Sequence, residues 1–281
     1  GDNRRLAGED LTIGKPALPA GKVIRPADLG LLASLGIAEI SVRRKLRVAF
    51  FYTGDELRSL GQPLDEGCVY DSNRYTLYGM LTRLRFIELL DMGVVHDSPE
   101  ALEQAMLQAM EQADVIVTSG GVSVGEADYT KHVMEKLGSV NFWKIAMRPG
   151  RPMAFGQVQN KANGDSAYLF GLPGNPVAVM VTFYAFVRDA LFKLANANPL
   201  PIPMLTATFV QNVRKRPGRT EDQRARLVME DGVLVAHLTG SQGSGILRSM
   251  SESDGLLVLD HEQGDLKAGD TVLALPFEGL I

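Results

Sequence analysis

The chain has 281 residues, of which 45% are apolar and 22% charged, and its formal net charge is −4. That length allows two domains of about 100–200 residues each, and that charge excludes a global basic field recruiting nucleic acid or an anionic membrane, so any anion site is local. No apolar run reaches the roughly 18–20 residues of a membrane span and no signal peptide opens the chain, which predicts a cytoplasmic protein.

Cys68 is the only cysteine, which excludes an internal disulfide and suits a reducing compartment. His96, His132, His237 and His261 show no ligand spacing, which argues against a structural zinc site.

Residues 1–45 read as a small, β-rich preliminary unit. Pro16, Pro19, Gly21 and Pro26 divide it into turns and short strands. A short helix is expected over Asp28–Leu35 and a strand over Ile40–Val42, while Arg4, Arg5 and Asp10 read as a solvated face. So small a unit buries little core alone and is expected to pack on something larger.

Residues 46–199 alternate strand and helix. Leu46–Tyr52 is an apolar strand ending in Thr53-Gly54-Asp55-Glu56. Asp71-Ser72-Asn73 caps a helix expected to run to about Leu90, followed by a strand over Asp91–Val95 with Asp97 just beyond it. Ser98-Pro99-Glu100 starts the next helix, with proline just inside the cap. Strands are expected over Val115–Thr118, Asn141–Met147, Pro152–Val158 and Ala167–Leu172, and a long helix over Val177–Ala195. Trp143, in an alternating pattern, is expected in the core. This alternation predicts an α/β fold, a mostly parallel sheet with helices on both faces. Ligands of such sheets bind beyond the carboxyl ends of the strands, where Asp55, Glu56, Asp97, Ser119, Gly120, Gly121, Ser123, Asp128, Gly174 and Asn175 would converge.

The stretch Asp114–Tyr129 carries the densest signal. Its buried-strand run ends in Ser119, Gly120, Gly121 and Ser123, where two glycines allow close approach of a ligand to the main chain. Unpaired loop amides and two hydroxyls suit a phosphate, and Glu126 and Asp128 put carboxylates beside them. A tight strand-to-helix turn capped by Asp128 explains the same residues. Lys144, Arg148 and Arg151 gather cations around a Pro-Gly turn, as either an oxyanion site or a solvated hairpin tip. Pro173-Gly174-Asn175-Pro176 is a stiff loop opening a helix. Residues 200–281 change to short strands between Gly, Asp and Pro turns, which predicts a small β-barrel or sandwich, with Arg224 and Ser244 in reach of a neighbouring site.

Thr53-Gly54-Asp55-Glu56-Leu57, Ser119-Gly120-Gly121-Val122-Ser123, Gly125-Glu126-Ala127-Asp128-Tyr129 and Leu172-Pro173-Gly174-Asn175-Pro176, in this order, resemble the molybdopterin molybdenumtransferase family, whose animal relative is the E domain of gephyrin. The Ser-Gly-Gly-Val-Ser motif alone indicates only a molybdopterin-binding fold, shared with the adenylyltransferase of the same pathway. Its combination with the other motifs and a C-terminal β domain points to the transferase. The resemblance implies three units: residues 1–45 as a remnant of the family's first domain, 46–199 as the molybdopterin-binding α/β domain and 200–281 as a C-terminal β-barrel. The family's N-terminal portion, with the domain that helps line the partner subunit's active site in a homodimer, would then be missing.

The implied reaction inserts molybdate into adenylylated molybdopterin and releases AMP, with Mg²⁺ assisting. The resemblance implies that Glu56, Asp97 and Asp128 serve metal binding and phosphoanhydride cleavage. Thr53, Gly54, Asp55, Ser119, Gly120, Gly121, Ser123, Pro173, Gly174, Asn175 and Pro176 would shape the pterin phosphate site. Lys144, Arg148, Arg151, Arg224 and Ser244 would face molybdate, with Arg148 and Arg151 standing where relatives often have lysine. Two other readings share the fold: a non-catalytic scaffold that binds molybdopterin, and the adenylyltransferase itself, which is also a candidate partner.

Overall fold

The computed structural model describes residues 1–121, 128–199 and 201–279, and only the backbone of 128–130. Ser123 and Glu126, and the side chain of Asp128, therefore lie outside the described residues.

The strand Leu46–Thr53 is an internal strand of a six-stranded sheet. Its apolar side chains are buried on both faces, the pattern of an internal parallel strand. Val48, Phe50 and Tyr52 pack with the helices Ser72–Arg83 and Pro176–Thr182. Ala49 and Phe51 pack against Pro99–Gln112 and against Val133, Met134 and Leu137 of the helix Asp128–Leu137. Phe50 and Phe51 are fully buried, each contributing about 2 kcal/mol of hydrophobic stabilisation.

The strand order is Ile87–Val95, Leu46–Thr53, Val115–Ser119, Ser166–Leu172, Pro152–Gln159, Gly138–Lys144. The first four run parallel and the last two extend the sheet antiparallel. Local chemistry starts the helices where the sequence predicts: Ser98 Oγ accepts the Ala101 N–H at 3.2 Å ahead of Pro99, and Asp71 Oδ1 accepts the Arg74 N–H at 3.1 Å. The long helix from Pro176 passes through a π turn at Phe183–Val187 before ending at Leu194.

Five strands, Leu205–Phe209, Thr220–Glu230, Val233–Leu238, Gly255–Leu259 and Thr271–Pro276, close into a barrel. Phe209, Ala225, Leu257 and Leu259 belong to its apolar core. The pair Met147–Arg148 leaves the first sheet and adds in parallel to the barrel at Thr220 and Glu221. The Thr220 N–H donates to the Ala146 carbonyl at 2.9 Å. The cation-bearing segment is thus shared between sheet and barrel.

Several expected elements differ. Residues 1–45 contain the helix Pro26–Ser34 but no strand, so the β-rich reading of this unit fails. Ile40 and Val42 are exposed and have no neighbouring strand to complete a ladder. The helix expected to reach Leu90 stops at Arg83, because Ile87–Leu90 pairs with Leu46–Ala49 as the start of a longer strand. The strand expected over Asn141–Met147 breaks after Lys144. Trp143 is 55% exposed rather than buried: it lies on the terminal strand of the sheet, where the helical layer no longer covers it. A short helix, Leu247–Ser251, follows the hydroxyl-rich loop at 240–245 without a sequence signal.

Candidate active site

The carboxyl ends of the four parallel strands open onto a pocket of about 950 Å³. Thr53, Gly54, Asp55 and Glu56 reach it from the strand Leu46–Thr53, Asp97 from its edge neighbour Ile87–Val95, Ser119, Gly120 and Gly121 from Val115–Ser119, and Pro173, Gly174 and Asn175 from Ser166–Leu172. Four segments remote in sequence therefore share one rim, as parallel topology requires. Arg148 and Arg151 enter from the segment joined to the barrel, and Ser244 from the barrel's own loop.

Gly120 fixes the geometry of the third segment. Its φ is +96°, and a Cβ there would stand 2.4 Å from the Thr53 carbonyl oxygen. Only glycine lets these two strand ends approach so closely. The Gly120 N–H donates to the Leu172 carbonyl at 3.2 Å, so this amide serves the sheet rather than a ligand. The Ser119 hydroxyl is likewise engaged: it donates to the Pro173 carbonyl at 2.9 Å and accepts from Asn73 Nδ2 at 3.1 Å. Ser119 thus holds loops together, and its single proton is not offered to an anion. The Thr53 hydroxyl, buried beside the same turn, has no partner among the described residues.

On the acidic side, Asp55 Oδ1 accepts the Asp97 N–H at 3.2 Å, with His96 Nδ1 3.5 Å away. The Glu56 carboxylate makes no hydrogen bond or ion pair with the described residues. Among those residues no three His, Cys, Asp or Glu groups gather closely enough to hold a metal ion alone.

Three expected residues do not line the pocket. Lys144 is exposed, paired with Pro152 along the edge of the sheet. Pro176 is the first residue of its helix, behind the loop it stiffens. Arg224 is 1% exposed and donates to Ser249 Oγ at 3.0 Å and to the Gly243 carbonyl at 2.9 Å. It anchors the loop that carries Gln242, Gly243 and Ser244 to the pocket wall. Burial, with the charge of Arg148 nearby, lowers the Arg224 pKa to about 10.

A family model described as "Probable molybdopterin binding domain" matches residues 49–193, and one described as "MoeA C-terminal region (domain IV)" matches residues 206–277. A molybdopterin molybdenumtransferase from Haemophilus influenzae is 43% identical over 99% of this chain and 68% of its own length. The chain belongs to the molybdopterin molybdenumtransferase family. A second such transferase, from Nostoc, is 34% identical over 98% of the chain and 63% of its own length. Gephyrin from Dictyostelium discoideum is 32% identical over 98% of the chain and 42% of its own length. The chain thus spans about two fifths to two thirds of the length of these curated relatives. Among solved structures, the molybdopterin biosynthesis MoeA protein of Pyrococcus horikoshii superposes with a TM-score of 0.77 at 30% identity, over 97% of this chain and 64% of that one.

In this member of the molybdenumtransferase family, the sequence reading missed Asn73, Arg219 and Gln242 as pocket residues. Asn73 had the chemistry of a helix cap. Arg219 had a signal: it ends the tetrapeptide Arg216-Pro217-Gly218-Arg219, a repeat of Arg148-Pro149-Gly150-Arg151. Among the described residues no helix is long and apolar enough to cross a membrane.

Proposed function

We propose that this pocket binds adenylylated molybdopterin and molybdate, and that the protein inserts molybdate into the pterin with release of AMP. The observation that carries the reading is the pocket's polarity: Asp55, Glu56 and Asp97 share it with Arg148 and Arg151 around the Gly120–Gly121 turn. Family membership and relatives named molybdenumtransferase support it.

In this reading the glycine turn and the Pro173–Asn175 loop shape the seat of the pterin phosphate. Arg148 and Arg151, with Ser244, attract the molybdate oxyanion, for which planar guanidinium forks are suited. Glu56, Asp97 and Asp128 act at the phosphoanhydride. Mg²⁺ binds through one or two carboxylates together with substrate phosphates and water. A sparse set such as Glu56 and Asp97, which belongs to no three-ligand cluster among the described residues, fits a cation that arrives with its substrate and neutralises phosphate charge. Action in the cytoplasm, as a homodimer supplied by the adenylyltransferase, belongs to the same proposal, as does the division at residues 45/46 and 199/200.

The test is AMP release from adenylylated molybdopterin with molybdate and Mg²⁺, using the full-length protein. The expected result is release that is lost in Glu56→Gln while folding is kept. No release favours the scaffold reading, and ATP consumption with free molybdopterin favours the adenylyltransferase.

A further inference from the structure

The consecutive carboxylates of the pocket rim, Asp55 and Glu56, are the central residues of the turn Gly54–Leu57, closed by the Leu57 N–H donating to the Gly54 carbonyl at 3.1 Å. Their side chains part. A Cβ at Gly54 would stand 2.8 Å from the Glu56 carboxylate, so glycine at this position leaves Glu56 room to fold back over the turn. Asp55 instead reaches across to the neighbouring strand, where its Oδ1 accepts the Asp97 N–H at 3.2 Å.

That reach follows from register. Thr53 and Val95 are the last partners of the parallel pair Leu46–Thr53 and Ile87–Val95. Just beyond them the chains carry Asp55 and Asp97, where the ladder of main-chain hydrogen bonds has ended. A main-chain donor past the end of a ladder turns to a side chain or to water, and here a side chain supplies the acceptor.

Both partners of this bond are held from behind. The Ser98 N–H donates to the His96 carbonyl at 2.8 Å, which makes Asp97 the centre of a three-residue turn, and Ser98 Oγ caps the helix that follows. On the other side, Arg58 Nη1 donates to the Asp55 carbonyl at 2.8 Å and the Val69 N–H donates to the Glu56 carbonyl at 2.9 Å. The acceptor therefore sits on a fixed turn, and the donor on a short connection between a strand and a capped helix. The Asp55 side chain is 72% exposed, so the bond adds little to stability. What it fixes is the direction in which the Asp97 turn presents its carboxyl group.

We propose that Asp55 is a positioning residue: it holds the Asp97 turn, and with it the Asp97 carboxylate, in the orientation the reaction needs, and makes no bond to substrate or cation itself. The inference rests on the pocket reading above, in which Asp97 acts at the phosphoanhydride. It narrows the role that the resemblance implies for Asp55 from binding to positioning. The role needs an acceptor oxygen and no charge, so an asparagine can fill it.

The experiment compares full-length wild type, Asp55→Ala and Asp55→Asn in AMP release from adenylylated molybdopterin with molybdate and Mg²⁺, and follows hydrogen exchange of the Asp97 amide by NMR in the same proteins without substrate. Residue 55 is remote in sequence from residue 97, so the intrinsic exchange rate of that amide is the same in all three. Asp55→Ser replaces Asp55→Ala if the alanine variant does not fold. Displacing a reacting group costs turnover more than binding, so Asp55→Ala is expected to lower kcat about tenfold with KM and the unfolding midpoint little changed. Its Asp97 amide is expected to exchange severalfold faster. Asp55→Asn is expected to restore both kcat and protection. If Asp55→Asn loses as much kcat as Asp55→Ala, the charge acts directly, and the inference is overturned while the pocket reading stands. The same holds if Asp55→Ala keeps the wild-type kcat, whatever its amide does. A wild type that releases no AMP overturns the pocket reading and this inference with it.

Discussion

Asn73 Nδ2 donates to Ser119 Oγ at 3.1 Å and to the Gly174 carbonyl at 2.7 Å. One amide at the start of a helix therefore ties two strand-end loops that the sequence separates by more than fifty residues. Tyr52 OH adds a third tie, donating to the Asn73 carbonyl at 3.1 Å. The floor of the pocket is held in shape before any ligand arrives, which lowers the ordering cost of binding.

Asn73→Ala removes both of these side-chain bonds and leaves the Gly174 carbonyl without that donor. The expected loss is about 2 kcal/mol of stability, read from the midpoint of urea unfolding. Pterin affinity is expected to fall further than stability alone explains. A variant with native stability and native affinity would show that the tie is incidental.

Gly120→Ala is expected to be worse. The new Cβ meets the Thr53 carbonyl at 2.4 Å and the Thr53 hydroxyl at 2.9 Å, and both atoms sit at the end of the buried strand Leu46–Thr53. Relief requires the strand ends to separate, at a cost of about 2 kcal/mol or more. Substrate binding and stability should fall together. Stability unchanged within about 0.5 kcal/mol would contradict the close approach.

Arg224→Ala and Arg151→Ala should separate cleanly. Arg224 is anchored to Ser249 and to the carbonyls of Ser241 and Gly243. Its removal opens a cavity and leaves those acceptors unpaired, so about 3 kcal/mol of stability is expected to go. Arg151 lines the pocket, and no hydrogen bond or ion pair of its side chain is seen among the described residues. Its removal should weaken molybdate by about tenfold, roughly 1.4 kcal/mol, with the unfolding midpoint unchanged. Thermal unfolding and calorimetry on the same two variants check both statements.

Asp114 contributes to the acid limb of stability. Burial raises its pKa, but hydrogen bonds from Arg44, from the Arg47 backbone and from the Arg47 side chain outweigh that and hold it well below the usual carboxylate range. A depressed folded-state pKa stabilises above the unfolded value, about 3.9, and that contribution is lost as pH falls toward the folded value. Wild type should therefore exceed Asp114→Asn in stability at pH 7, with the gap narrowing below pH 4. A gap independent of pH would remove the charge from the explanation.

The parallel sheet was legible because burial on both faces writes itself as apolar runs such as Val48–Tyr52, and because Ser98-Pro99 announces a helix by its own chemistry. The rim was legible for the same topological reason: Asp97 and Gly174 each follow a strand. What escaped depended on neighbours remote in sequence. Trp143 alternates like a core residue, and only the place of its strand at the sheet's end exposes it. Arg224 and Arg219 are five residues apart and equally cationic. One is buried under its own loop and the other faces the pocket, a difference set by how the barrel docks. Ser119 and Gly120 carry the motif, yet the hydroxyl proton of one and the amide of the other are used in holding the loops together.

The most direct test of the central claim is a crystal of the protein soaked with molybdate and examined by anomalous diffraction. The account predicts a molybdenum peak in the pocket between the Arg148–Arg151 turn and Ser244, with oxyanion oxygens about 3 Å from guanidinium nitrogens. A peak on another surface, or an empty pocket at saturating molybdate, would contradict it.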